Sequence, residues 1–281
     1  MKKLLYLVGI TLIVSYLCLL IFLFVIQESL IFYPQKISFQ YYKEIINNNS
    51  NVEAVEVETG DRLTLRGWLV HSNSHRGAEK APLIIYYGGN AEEISRLISE
   101  IDQFNGYSLL LMPYRGYGVN DGKPNESSLF QDAELIYDYV LRRPDIDPQR
   151  IVVMGRSIGS GIAVYIAKGR KTQGVILVTP YDSLLSVAQE QMKYVPVALI
   201  LRNRFNSIER TSGITTPMLA LIAANDEVIS PKHAWRLVKK WGGKVMMRQF
   251  EGVGHNTIDE AEGYWESIRE FLVSLNQTGE A

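Results

Sequence analysis

The chain has 281 residues, 47% hydrophobic and 21% charged, enough for one full-sized core with little left for a second. A formal net charge of -1 gives no electrostatic basis for a nucleic-acid partner. No P-loop, dinucleotide glycine fingerprint or zinc-like Cys/His spacing is present, so no cofactor or metal is expected, and the lone Cys18 excludes an intramolecular disulfide.

Lys2 and Lys3 precede residues 4–26, an apolar run broken only by Gly9, Thr11 and Ser15. A helix of roughly 20 such residues crosses the hydrocarbon core of a bilayer. A cleaved signal peptide would carry an apolar region of about 7–15 residues and a small-residue cleavage site. Neither is found, and Tyr16-Leu17 ahead of Cys18 are too bulky for lipoprotein-type processing. Residues 1–26 are expected to be a retained signal-anchor, one transmembrane helix contacting the lipid membrane. The lysines bias the N-terminus to the cytoplasm and place the remainder on the non-cytoplasmic side. Residues 27–51 read as a membrane-proximal stalk, because Tyr33-Pro34 and the asparagine-rich segment 47–51 suit loops.

A single folded domain is expected over 52–281. Strand-like runs at 52–57 and 63–70 flank Thr59-Gly60-Asp61, a hairpin signal. Strand and helix patterns then alternate: strand 82–87, helix 92–104, strand 107–112, helix 127–142, strand 151–154, helix 158–167 and strand 174–178. Strands at 218–223 and 245–250 are followed by helices near 233–241 and 260–275. Continuous apolar strands between helices predict an α/β fold, a mostly parallel sheet covered on both faces. Residues 182–214 are too long for a plain connection and read as a helical insertion, a cap. Within it, 194–201 either lines an acyl pocket or is a helix buried against the sheet. Tyr86 and Tyr87 end a core strand and are expected to pack.

Gly155-Arg156-Ser157-Ile158-Gly159 has the G-x-S-x-G spacing, which holds a serine on a sharp strand-to-helix turn. The pattern alone is common among turns. Its setting, between an apolar strand and a buried helix, is what makes Ser157 a candidate nucleophile. The helix N-terminus, at Ile158, offers free N–H groups where an oxyanion would form.

A nucleophilic serine needs a base and the base an orienting acid, expected in the order Ser, Asp or Glu, His. His71 and His75 precede the serine, near a polar loop, and read as surface residues. His233, after Pro231, reads as exposed on a helix. His255, in Gly252-Val253-Gly254-His255-Asn256, follows a strand and is the expected base. Asp226, at the end of the 218–223 strand, is the expected acid, with Glu227 pointing away. Asp182 is the second candidate, although helix capping is its more ordinary use. Arg115 is expected to order a loop through a buried pair, and Arg156 to serve the turn or its surface. Asn48 and Asn276 sit in N-x-S/T patterns.

The ordered set of GRSIG, the Asp226-Glu227-Val228-Ile229 segment and Gly254-His255-Asn256 resembles the α/β-hydrolase superfamily. Tyr114-Arg115-Gly116-Tyr117-Gly118 with Asp121-Gly122-Lys123-Pro124-Asn125-Glu126 narrows this to a likeness with the membrane-anchored hydrolases related to protein depalmitoylases. Residues 27–34, QESLIFYP, are similar as well. The resemblance implies a Ser157, Asp226, His255 triad, with backbone N–H groups of Ile158 and Asn90 as the oxyanion hole. It implies a serine hydrolase of the carboxylesterase or thioesterase type, acting on a small or acylated substrate. Where that family has His-Gly-Asn-Ala, this chain has Gly88-Gly89-Asn90-Ala91, and the glycine pair is expected to hold the loop less rigidly. Amide hydrolysis on the same triad is the alternative chemistry, and Gly88 is the one feature favouring a catalytically silent membrane scaffold.

Overall fold

The computed structural model describes residues 1–73 and 80–277. Among them the chain forms one eight-stranded sheet from β1 (Val52–Glu58), β2 (Thr64–Val70), β3 (Ala81–Tyr87), β4 (Ser108–Leu111), β5 (Ile146–Arg156), β6 (Gly174–Val178), β7 (Met218–Ala223) and β8 (Val245–Phe250). The strand order is β1-β2-β4-β3-β5-β6-β7-β8. β1–β2 and β2–β4 pair antiparallel, and every pairing from β4 to β8 is parallel.

Helices cover both faces, as the apolar strands require. The helices among the described residues are α1 (Lys2–Ile31), α2 (Phe39–Asn48), α3 (Glu126–Leu141), α4 (Ile158–Gly169), α5 (Leu184–Gln191), α6 (Val197–Ile200), α7 (Ile208–Thr211), α8 (Pro231–Lys239) and α9 (Tyr264–Gln277), of which α1 stands largely exposed. Strand alternation divides the core in two. Ile151 and Val153 of β5 join Leu129, Ile136 and Ile162 of α3 and α4 on one face. Val152 and Met154 join Ile268, Phe271 and Leu275 of α9 on the other. This arrangement collects the C-terminal ends of β3, β5, β7 and β8 along one rim, where loops can gather a site.

The insertion after β6 is helical, carrying α5, α6 and α7. Ser183, rather than Asp182, caps α5, its hydroxyl accepting from the Ser186 N–H at 3.0 Å. Two other segments differ from expectation. Residues 92–104 form two 3-10 helices, Ile94–Ile98 and Ile101–Phe104, not one α-helix. The Glu92 carboxylate turns back to the Gly89 N–H and Glu93 caps Ser95, so the first turn closes early. Ile94, Leu97, Ile101 and Phe104 are buried all the same, because spacings of three and four serve either helix.

The segment read as a stalk is instead packed on the domain. α1 continues to Ile31, Phe32 is buried, and α2 lays Tyr42 and Ile45 on the sheet. The Tyr42 ring lies 5.2 Å from that of Trp68, and its hydroxyl donates to the Gly67 carbonyl at 3.2 Å. Ser38 supplies the N-cap for α2 at 3.0 Å, a start signal hidden behind the Tyr33-Pro34 loop. α1 has 30 residues and is long and apolar enough to cross a membrane.

Candidate active site

The Ser157 turn is built by what its neighbours lack. Ser157 has φ 51° and ψ -121°, a left-handed conformation costly for a side chain and found where a site demands it. A Cβ on Gly155 would lie 2.2 Å from the Gly159 carbonyl oxygen, and one on Gly159 would lie 2.1 Å from that of Tyr87. Backbone crowds both positions, so no side chain fits at either. The chain can then turn from β5 into α4 within one residue and raise the Ser157 hydroxyl over the rim.

His255 and Asp226 arrive from the loops after β8 and β7. The Ser157 hydroxyl donates to His255 Nε2 at 2.9 Å, and His255 Nδ1 donates to Asp226 Oδ2 at 2.8 Å. The other Asp226 oxygen accepts from the N–H groups of Val228 (2.9 Å) and Ile229 (2.6 Å), which fixes the carboxylate plane. The His255 and Asp226 side chains are buried, so these contacts are shielded from water. Glu227 does not simply point away: its carboxylate accepts from the His255 backbone N–H at 3.3 Å.

Ile158 is the first residue of α4, where the N–H has no intrahelical acceptor. Asn90 lines both spaces that border Ser157. Its loop is held by several bonds. The Tyr114 hydroxyl donates to the Gly88 carbonyl at 2.7 Å, and Gly89 N–H donates to Glu92 at 2.6 Å. Asn90 Oδ1 accepts from Tyr33 N–H at 2.8 Å and the Tyr117 hydroxyl at 2.9 Å. A Cβ at Gly88 would meet the Ile94 side chain at 2.6 Å, so a larger residue there would require Ile94 to shift. Tyr114, Glu92, Tyr33 and Tyr117 thus each bond to this loop.

Two spaces of opposite character meet at Ser157. On one side is a cavity of about 280 Å³ between α1 and the cap, lined by Leu30, Ile31, Leu184, Val187, Val195 and Ile200 among others. The apolar insertion segment thus contributes to a pocket wall. On the other side lies a polar cleft bordered by Glu92, Arg96, Arg156, Asn256, Asp259 and Glu260.

The remaining sequence candidates lie elsewhere. His233 is fully buried, not exposed: Nδ1 meets Asp182 at 2.7 Å and Nε2 meets Glu190 at 2.8 Å. Arg236 Nε donates to the other Asp182 oxygen at 2.5 Å. Asp182 is therefore committed to α8 and takes no part beside Ser157. His71 bonds Glu53 at 3.3 Å, far along the sheet from the serine, and His75 lies outside the described residues, as does Thr278 of the second glycosylation pattern. Glu53, His71 and Asp145 converge closely enough to hold a cation. Arg143 already fills that role, bonding Glu53 at 2.7 Å and Asp145 at 2.8 Å. Arg115 forms the expected buried pair, two bonds to Asp132 at 2.7 and 2.6 Å, and adds Asp61 at 2.8 Å. The Arg115 bond holds the Asp61 pKa down at about 2. Tyr86 and Tyr87 are buried, and Tyr86 also donates to Glu92 at 3.0 Å.

Two residues had more to do than their sequence setting implied. Arg156 Nη2 donates to the carbonyls of His255 and Asn256 at 3.3 Å, so the residue before Ser157 steadies the loop that carries His255. Gln27 is buried where α1 meets the cap. The readable signal was a polar residue on the apolar face made by Leu23, Leu30 and Ile31, at spacings of three, four and seven.

A family model described as serine hydrolase matches residues 140–274. An uncharacterized protein of Mycobacterium tuberculosis is 30% identical over 230 residues, covering 80% of this chain and 81% of its own. The alpha/beta hydrolase domain-containing protein 17C of Xenopus tropicalis is 29% identical over 192 residues, covering 67% of this chain and 61% of its own. Among solved structures, the Pyrococcus furiosus esterase Pf2001 superposes with a TM-score of 0.68 at 18% identity, over 87% of this chain and 97% of that one, a likeness of fold. The chain belongs to the α/β-hydrolase serine hydrolases, and is an enzyme of the hydrolase type.

Proposed function

We propose that this enzyme is anchored by α1 as a single-pass membrane protein and cleaves carboxylic esters or thioesters through Ser157, His255 and Asp226. One observation carries the reading: a strained serine whose hydroxyl is 2.9 Å from an imidazole backed by a buried carboxylate. His255 Nε2 takes the hydroxyl proton as Ser157 Oγ bonds to the acyl carbon. The N–H groups of Ile158 and Asn90 hold the resulting oxyanion. The carbon–oxygen or carbon–sulfur bond then breaks, and Nε2 returns the proton to the departing alkoxide or thiolate. Water, losing a proton to the same nitrogen, attacks the acyl-enzyme and releases the carboxylic acid, restoring Ser157. Asp226 keeps the imidazole in the tautomer that accepts at Nε2 and stabilises its cation.

The two spaces beside Ser157 suit an apolar acyl group on the α1 side and a polar leaving group in the cleft. Lys2 and Lys3 favour a non-cytoplasmic active site. The test is turnover by the full-length enzyme across p-nitrophenyl esters, S-acyl thioesters and matched amides. We expect the esters and thioesters to be cleaved, and Ser157→Ala to lose on the order of 10⁴-fold or more. Equal rates for the two proteins, or cleavage of the amides alone, would contradict the proposal.

A further inference from the structure

The cavity beside Ser157 is closed on one side by the anchor itself. Leu23, Gln27, Leu30 and Ile31 form a single stripe on α1, and all four line the space that reaches Ser157. Gln27 fastens this stripe to the cap in both directions. Its Nε2 donates to the Ile200 carbonyl at 3.1 Å, and its Oε1 accepts from Arg202 N–H at 2.8 Å. The Arg202 side chain adds to this, pairing with the adjacent Glu28 at 3.2 Å and stacking on the Phe24 ring.

The cap also reaches much farther down the anchor. The Tyr16 hydroxyl donates to the Tyr194 carbonyl at 2.7 Å. An apolar crossing of about 20 residues counted from Leu4 ends near Leu23. At about 1.5 Å per residue, Tyr16 then lies roughly 10 Å inside that boundary. The Arg202–Glu28 pair sits just beyond it, where charges meet headgroups.

What the cap presents at this depth is apolar. Tyr194 is 91% exposed and Leu199 84% exposed, both on the short segment that carries α6, with exposed Met192 beside them. Lys193 is the one charged residue in the segment 192–201, and its long stem lets the ammonium reach the headgroup layer. Left in water, such side chains are a liability. Beside a membrane-crossing helix they continue its lipid-facing surface.

We propose that segment 192–201 is seated in the bilayer leaflet beside α1, and that the cavity draws its acyl chain sideways from that leaflet along the Leu23–Ile31 face. The occupant is a lipid-borne acyl chain, and the anchor is one wall of its binding site as well as a tether. This rests on the anchored-hydrolase reading above. It places the acyl carbon at Ser157 without passing the chain through water, and leaves the leaving group on the polar side. Leu23, nearest the leaflet, becomes a residue that sets chain length.

The full-length protein in dioleoylphosphatidylcholine vesicles supplies the test. In a Cys18→Ser background, Leu199→Cys carries a polarity-sensitive fluorophore, and exposed Lys239→Cys is the reference. We expect nitroxides on lipid acyl chains to quench the label at 199 and not at 239, and aqueous iodide to do the reverse. Iodide quenching at 199 comparable to that at 239 overturns the proposal. Turnover adds a second readout. Tyr194→Asp with Leu199→Asp should lower cleavage of a vesicle-embedded long-chain thioester about tenfold relative to soluble p-nitrophenyl acetate. Leu23→Trp should shift the preferred acyl chain to shorter lengths. An unmoved ratio and an unmoved chain-length profile overturn lateral entry. Failure of the wild type to cleave p-nitrophenyl acetate would instead count against the hydrolase reading, so the two failures are told apart.

Discussion

The molecule holds two buried His–Asp pairs of nearly equal geometry, His255–Asp226 at 2.8 Å and His233–Asp182 at 2.7 Å. Both aspartates stand just beyond strands of the parallel sheet, Asp182 after β6 and Asp226 after β7. They differ at both ring nitrogens: Arg236 Nη2 also contacts His233 Nδ1 at 2.7 Å, and the far nitrogens face different groups. In His255 the far nitrogen meets the Ser157 hydroxyl; in His233 it meets the carboxylate of Glu190. The first pair can receive a proton from a nucleophile. The second is closed by a second acid and by Arg236, and it ties the cap helix α5 to α8. Pairing with a carboxylate therefore does not by itself mark a catalytic base; the role proposed for His255 rests on its far nitrogen facing a strained hydroxyl.

The largest contrast between the pairs should appear in turnover. His255→Ala is expected to cost on the order of 10⁴–10⁶ in kcat for a short p-nitrophenyl ester while the protein stays folded. His233→Ala should do the opposite. Ester turnover is retained, and stability falls by about 2 kcal/mol because a buried carboxylate loses one of its bonds; thermal melting followed by circular dichroism checks this.

The acids should separate in the same way, with a smaller span. Asp226→Asn is expected to lower kcat about 10⁴-fold by supplying the wrong tautomer, whereas Asp182→Asn should lower melting temperature and spare kcat. Steady-state kinetics alongside melting curves distinguish them. Near Ser157, Asn90→Ala removes the acceptor that Tyr33 and Tyr117 use to pin the loop proposed to hold the oxyanion. A loss of up to about 10²-fold in kcat is expected, with KM much less changed.

The smallest effect is on pH dependence. Burial alone would raise the Asp182 pKa, but the bonds from His233 and Arg236 outweigh it and hold the carboxyl below its usual range. A depressed acid contributes stability that is complete above its unfolded pKa, near 4, and lost as pH falls through the folded value. Wild type should therefore lose melting temperature more steeply below about pH 4 than Asp182→Asn does.

Much of the fold could be read from hydrophobic pattern. β6 and β7 begin and end where the apolar runs do, because strands buried between two helical layers need unbroken apolar sequence, whereas the edge strand β8 carries Arg248 and Gln249 and is only partly buried. The Ser157 turn was legible because steric crowding at Gly155 and Gly159 leaves a mark in the sequence itself. His255 and Asp226 could be expected at one rim because each follows a strand of a parallel sheet. His233 could not be understood that way. Its partners lie 51 and 43 residues away, and only the folded cap brings them to α8. Gln27 lies one residue past the apolar run, so hydrophobic pattern alone does not mark the contact it makes with the cap. Residues 92–104 show the limit of periodicity, since apolar spacings of three and four fit 3-10 and α-helix alike.

The most direct measurement is mass spectrometry of the full-length protein after treatment with a fluorophosphonate. A single adduct on the peptide carrying Ser157, lost in Ser157→Ala and strongly slowed in His255→Ala but formed normally in His233→Ala, is the expected result. Labelling at another residue, or labelling that survives Ser157→Ala, would contradict the assignment of Ser157 as the nucleophile.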